Sequence, residues 1–205
     1  MCDTIRNNRR YECGDHGTLT EAELQLKVQR LSAYLGGVLK LPDVLDAEEV
    51  ETLAVLQQLA AQLDQDYGTH SAAYLVDGYD PNGIDVGFLA NTDCDQVAQV
   101  TQLGGDVTGV DPGTGQTAYL RDRLSLMLEA SELGNNSLPF WVMVVRPKSR
   151  IGVDSGTGAD CNRLKRVEQA NDIARSVQAL QTGAKSSYQP LVELGDFNAY
   201  PFTAG

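Results

Sequence analysis

Apolar residues at positions 24, 28, 31, 35 and 38 recur at the spacing of one helical face. Thr20 and Glu23 stand in front of them in capping-box register, so a helix is expected from about residue 20. Gly36 and Gly37 weaken its end, and Pro42 breaks it. Positions 44–50 read as a short strand. A second helix follows from about Thr52, with Leu53, Leu56, Ala60 and Leu63 on one face. Strands are expected over 74–76 and 86–90, with the turn-rich stretch 77–83 between them. Residues 104–117 carry Gly, Asp, Pro and Thr and read as a surface loop. Positions 124–130 suit a strand or a helix equally. Positions 140–145 are apolar, β-branched and aromatic, the composition of a buried strand. A Gly/Ser/Asp/Thr loop over 150–162 precedes a helix from Arg163 to about Gln181. Val167, Ala170, Ala174, Val177 and Leu180 lie along one side of that helix. A last strand at 191–194 runs into Gly195-Asp196-Phe197-Asn198.

Helices and strands alternate with few tight hairpin signals, which implies α/β layers with helices covering sheet faces. Chemistry in such folds gathers at strand ends and the loops after them. A chain of 205 residues builds one sizeable core. The expected organisation is an irregular segment over 1–19 and a single domain over 20–205.

Charge and cysteine content narrow the function classes. The formal net charge of −12 opposes general nucleic-acid binding, which draws its affinity from neutralised phosphates. The basic residues cluster, however: Arg146, Lys148 and Arg150, then Arg163, Lys165 and Arg166. Such a strip suits either a solvated face or a local phosphate site. No run of 18 apolar residues occurs, so no membrane partner is expected. The polar first ten residues lack the apolar stretch of a signal peptide. Cys2, Cys13, Cys94 and Cys161 are too widely spaced for a CxxC-type zinc site. They suit free thiols or disulfides equally.

Two segments carry candidate chemistry. Asp196 and Asn198 are two apart after an apolar strand, so on an extended segment they point the same way. A carboxylate and an amide so placed can hold a divalent cation or position a phosphate oxygen or water. Taken alone, Asp-x-Asn suits a strand-ending turn as well. Glu49 ends another strand, and hard cations use one or two such carboxylates. An acidic helix N-terminus would explain it equally.

Several segments in one order resemble the endonuclease/exonuclease/phosphatase superfamily. Pro42-Asp43-Val44 with Glu48-Glu49-Val50-Glu51-Thr52-Leu53 resembles its "PDV…QEVENL" motif. Gly83-Ile84-Asp85-Val86-Gly87-Phe88-Leu89 resembles "GIDVGFL", Asp122-Arg123 resembles part of "DRPPL", and residues 195–203 resemble "GDFNA". The similarity covers about residues 20–203 and is closest to the bacterial extracellular nuclease-like branch, related in fold to deoxyribonuclease I. It implies a four-layered α/β sandwich, here lacking its first and last strands, and hydrolysis of phosphodiesters in DNA or RNA. Glu49 and Asp196 would bind Mg²⁺, or Mn²⁺ or Ca²⁺. Asp196 and Asn198 would orient water and the scissile phosphate. Arg123 would contact phosphate, Arg146 would lie beside the site and contact phosphate or a carboxylate, and Asp85 would be structural. The resemblance also implies an extracellular location.

Departures from the pattern bear on activity. The family's "VVH" reads Val144-Val145-Arg146 here, followed by Pro147. Arginine stays protonated and cannot exchange a proton as histidine does. No match to the family's closing Asp-His pair or its opening Asn-bearing strand is found. Such acid–base groups each contribute roughly 10²–10⁴-fold, so little or no nuclease activity is expected. Open sheet edges would favour self-association. The other readings are a phosphate- or partner-binding domain without catalysis and a phosphatase for small phosphoesters.

Overall fold

A computed structural model of the protein describes residues 20–78, 85–103, 108–110, 117–119, 125–133, 138–150, 152–154, 159–183 and 189–199. Arg123, Cys2 and Cys13 lie outside the described residues, as does all of segment 1–19. Helix α1 (Glu21–Gly37) opens with the expected capping box of Thr20 and Glu23. Strand β1 (Val44–Val50) leads through Thr52, which caps by accepting from the Val55 N–H, into α2 (Leu53–Tyr67). Then come β2 (Ser71–Leu75), β3 (Asp85–Asn91), β4 (Asp95–Leu103), β5 (Thr108–Val110), β6 (Thr117–Tyr119), β7 (Ser125–Glu132) and β8 (Pro139–Val145). Helix α3 (Ala159–Gly183) and β9 (Leu191–Gly195) complete the described elements.

Two sheets stack face to face. The first has the order β1-β3-β2, the second β4-β7-β8-β9, and β5 pairs with β6 apart from both. Alternation along the strands builds three apolar layers. Leu89 of β3 and Val50 of β1 meet Val28 and Leu35 of α1 and Leu56, Leu59, Ala60 and Leu63 of α2. The opposite residues of β3, Val86, Phe88 and Ala90, pack on Leu126, Leu128 and Ala130 of β7 and Val142 and Val144 of β8. Met143 and Val145, on the other side of β8, meet Ile173 of α3. The order of layers is therefore helices, sheet, sheet, helix. At about 25 cal/mol per Å² of apolar surface, each fully buried large side chain adds roughly 1.5–3 kcal/mol to this stack.

The structure adds one strand to the sequence reading, settles one open stretch and corrects two others. Residues 95–103 form β4, which pairs along its length with β7 although half its residues are polar. The ambiguous stretch near 124–130 is strand β7. Within 104–117, expected as loop, β5 and the start of β6 form a short ladder. Helix α3 starts at Ala159, inside the expected loop. Every described strand pair is antiparallel except β8 with β9.

The expected apolar side of α3 is buried only in part, where Val177 packs against Met143, Val145 and Ile173. Gln169 is 2% exposed, and Lys165, Asp172 and Ile173 are buried, whereas Val167 is 50% exposed. Val167, Ala170 and Ala174 instead line an open groove of about 930 Å³ with Phe197 and Glu193. Among the described residues no helix is long and apolar enough to cross a membrane.

Candidate active site

The candidate residues meet where the ends of β1, β8 and β9 approach one another. In β1, Glu48 pairs with Val86 and Val50 with Asp85, so Glu49 is the extra residue of a β-bulge. Its φ of 57° is left-handed, uncommon for a side chain of this size. The bulge turns Glu49 out of the alternation that keeps Asp46 and Glu48 on the inter-sheet side with Val44. Because β1 is an edge strand of its sheet, Asp46 and Glu48 are only half-buried. Burial still raises the pKa of each above the ordinary carboxylate range. For Glu48, the neighbouring carboxylates of Asp196 and Asp46 push the same way, and Arg146 and the Asp196 N–H oppose them.

Strand β9 runs parallel to β8, with Gly195 opposite Val145. The chain then turns sharply, so that the Asp196 N–H donates to Glu48 Oε1 across 148 residues. Asp196 Oδ1 accepts the Asn198 N–H at 2.9 Å, an Asx-type turn. The Asn198 side-chain amide donates to the Pro147 carbonyl at 3.0 Å, tying the end of β9 to the end of β8. Asn198 thus directs its amide donor into the backbone. Asp196 is exposed.

Arg146 lies at the centre and is 6% exposed. Its Nη2 donates to Glu49 Oε1, and its Nε is 3.7 Å from Glu48 Oε2. The buried Nε and Nη1 have no hydrogen-bond acceptor. Glu49 itself is mostly exposed, with its side chain 63% accessible. The structure therefore places Glu49 and Arg146 together, and Arg146 and Asp196 each beside Glu48. Asp85, buried, accepts the Gly78 N–H at 2.8 Å, a supporting contact.

Two groups at the site were not assigned a role from the sequence. Glu48 links β1 to β9, and its sequence signal is that, with Asp46, it places a carboxylate in a strand expected to be apolar. Arg166 of α3 donates to the Lys148 carbonyl and, at 3.0 Å, to the Asn198 carbonyl. Burial lowers its pKa, Arg150 adds to this, and Asp196 opposes it. Its signal was the basic cluster at 163–166, which the structure resolves into a backbone clamp.

The donor chemistry here suits a hard cation, since carboxylate oxygens are what Mg²⁺ and Ca²⁺ take. The arrangement does not. One oxygen of Glu49 is held by Arg146 and one of Glu48 by the Asp196 N–H. The buried guanidinium beside them repels a second positive charge. Among the described residues, no three His, Cys, Asp or Glu side chains are grouped to hold an ion.

No protein-family model matches the chain, and no curated protein matches it in sequence. Solved structures do match in fold. The human Nocturnin catalytic domain, solved with bound sulfate, superposes with a TM-score of 0.58 over 86% of this chain at 18% identity. An endonuclease/exonuclease/phosphatase family protein from Bacteroides thetaiotaomicron gives 0.55 over 93% at 12% identity. ANGEL2, a 2',3'-cyclic phosphatase solved with adenosine-2',3'-vanadate, gives 0.52 over 89% at 14%. The chain spans 58%, 60% and 44% of those three, respectively. The protein has the deoxyribonuclease I-like fold shared by the endonuclease/exonuclease/phosphatase proteins.

Proposed function

We propose that the protein is a phosphodiester hydrolase domain of the nuclease type, acting on DNA or RNA, with catalysis reduced to a trace in the chain as it stands. The observation that carries this reading is the meeting of Asp196 with Glu48 across 148 residues, with Arg146 set between Glu48 and Glu49. Asp196, exposed and anchored by the Asn198 N–H, is the group free to take a proton from an attacking water. Arg146 supplies positive charge for a phosphoryl oxygen, which would replace Glu49 as its partner; a guanidinium suits either anion. A protonated arginine cannot shuttle a proton to the leaving group, so the rate stays low.

Arg146 also favours a second reading, a domain that holds phosphate without cleaving it. A small phosphoester is an alternative substrate class, because the 2',3'-cyclic phosphatase neighbour has the same fold. Hydrolysis of an activated diester, bis(p-nitrophenyl) phosphate, separates these readings. The expected result is slow turnover that Asp196→Ala abolishes, with no measurable nicking of plasmid DNA. Turnover unchanged by Asp196→Ala, or no turnover at all, would sink the hydrolase reading. Robust Mg²⁺-dependent plasmid cleavage abolished by Asp196→Ala would sink the impairment.

A further inference from the structure

We propose that the Arg146 guanidinium occupies the cation position of this site, so that the protein carries a fixed positive charge where a divalent ion would otherwise bind. The inference rests on the reading of Glu49 as a site residue given above. It starts from burial: a guanidinium 6% exposed is costly unless paired, and Arg146 has two adjacent carboxylates around it. Glu49 reaches it only because the β1 bulge reverses that residue's direction. The unusual φ of Glu49 is thus matched to an arginine rather than to a cluster of ligands.

The position of Arg146 also limits its movement. It follows the last residue of β8 and precedes Pro147, whose carbonyl is held by Asn198. The next carbonyl, of Lys148, accepts from Arg166, and the Lys148 N–H donates to Gln169 at 2.8 Å. The backbone after Arg146 is therefore fastened on three sides, and only the side chain can leave. A dication with ligands at about 2 Å would have to expel that side chain from between Glu48 and Glu49. Mg²⁺ or Mn²⁺ affinity should accordingly be weak in the unmodified protein and should rise when the charge at position 146 is removed.

The test is Mn²⁺ binding, read by the loss of the free-ion electron paramagnetic resonance signal, in the unmodified chain and in Arg146→Met. Methionine keeps an unbranched stem and removes the charge. The expected result is a gain in affinity of about tenfold or more in Arg146→Met, lost again in Arg146→Met combined with Glu49→Gln. Equal affinity in the unmodified chain and Arg146→Met would overturn the proposal. Should Arg146→Met fold only with Mn²⁺ present, the ion has replaced the guanidinium, and the proposal stands. Should it fold under neither condition, the unmodified chain decides. Its melting temperature is expected to be unmoved by millimolar MnCl₂, and a rise of several degrees would overturn the proposal, because a ligand of the native state raises stability. Mn²⁺ binding involves no hydrolysis, so this proposal and the hydrolase reading fail separately.

Discussion

Gly195 ends β9 with a φ of 133°, a region that side chains rarely adopt. A Cβ there would overlap the Val145 carbonyl oxygen and lie 2.9 Å from Glu48 Oε1. The residue therefore permits both the parallel ladder to β8 and the approach of Asp196 to Glu48. Gly195→Ala is expected to cost at least about 1–3 kcal/mol, measured as a lowered urea midpoint. A midpoint equal to the parent's would show that the turn does not need glycine. Asn198, with φ of 50°, is the residue type that tolerates this conformation best after glycine. The placement of Asp196, Asn198 and Glu49 near strand ends was legible in the sequence because each lies within a recognisable run of residues. That Arg146 meets a carboxylate at the site was legible from its place in the run Val144-Val145-Arg146, but that the partner is Glu49 was not. This pairing depends on a bulge that no local pattern encodes, since Glu48-Glu49-Val50 reads equally well as an unbroken strand.

Helix α3 shows how an apolar stripe misleads at the scale of an element. The sequence puts Val167, Ala170 and Ala174 on one side, and periodicity alone would bury that side. The structure buries Gln169 instead, and its side chain accepts the Lys148 N–H beside the site. Gln169→Leu, more apolar than the parent, is expected to destabilise by about 0.5–1.5 kcal/mol, the net worth of the hydrogen bond it loses. Val167→Gln is expected to change stability by less than about 0.5 kcal/mol. Urea unfolding of the two variants checks both, and the reverse order would mean that the stripe faces the core after all. The helices α1 and α2 were readable because cap residues and apolar spacing agree. Strand β4 was not, because its exposed positions are polar and its pairing to β7 is a long-range choice.

For the whole molecule, burial raises the pKa of Asp46, Glu48, Asp95 and Glu193, and desolvation is the leading cause in each. The folded state therefore holds these protons more tightly than the unfolded chain. Their contribution to stability is greatest below the ordinary values of 3.8 and 4.5 and is lost as pH rises through the raised ones. The net charge of −12 adds self-repulsion in the same direction. The urea midpoint is expected to fall as pH rises above 4.5, and Glu193→Gln should make that fall shallower. A midpoint that rises over this range would contradict the account. The 148-residue separation of the two halves of the site has a further consequence during synthesis. At about 5–20 residues per second, roughly 7–30 s pass between the appearance of Glu48 and that of Asp196 on a ribosome. Through that interval the nascent chain can close the α1, α2 and β1–β3 contacts, yet the acidic bulge gains Arg146 only after about two thirds of it and Asp196 only at its end. The contact between Glu48 and Asp196 cannot form until nearly all of the described chain has been made.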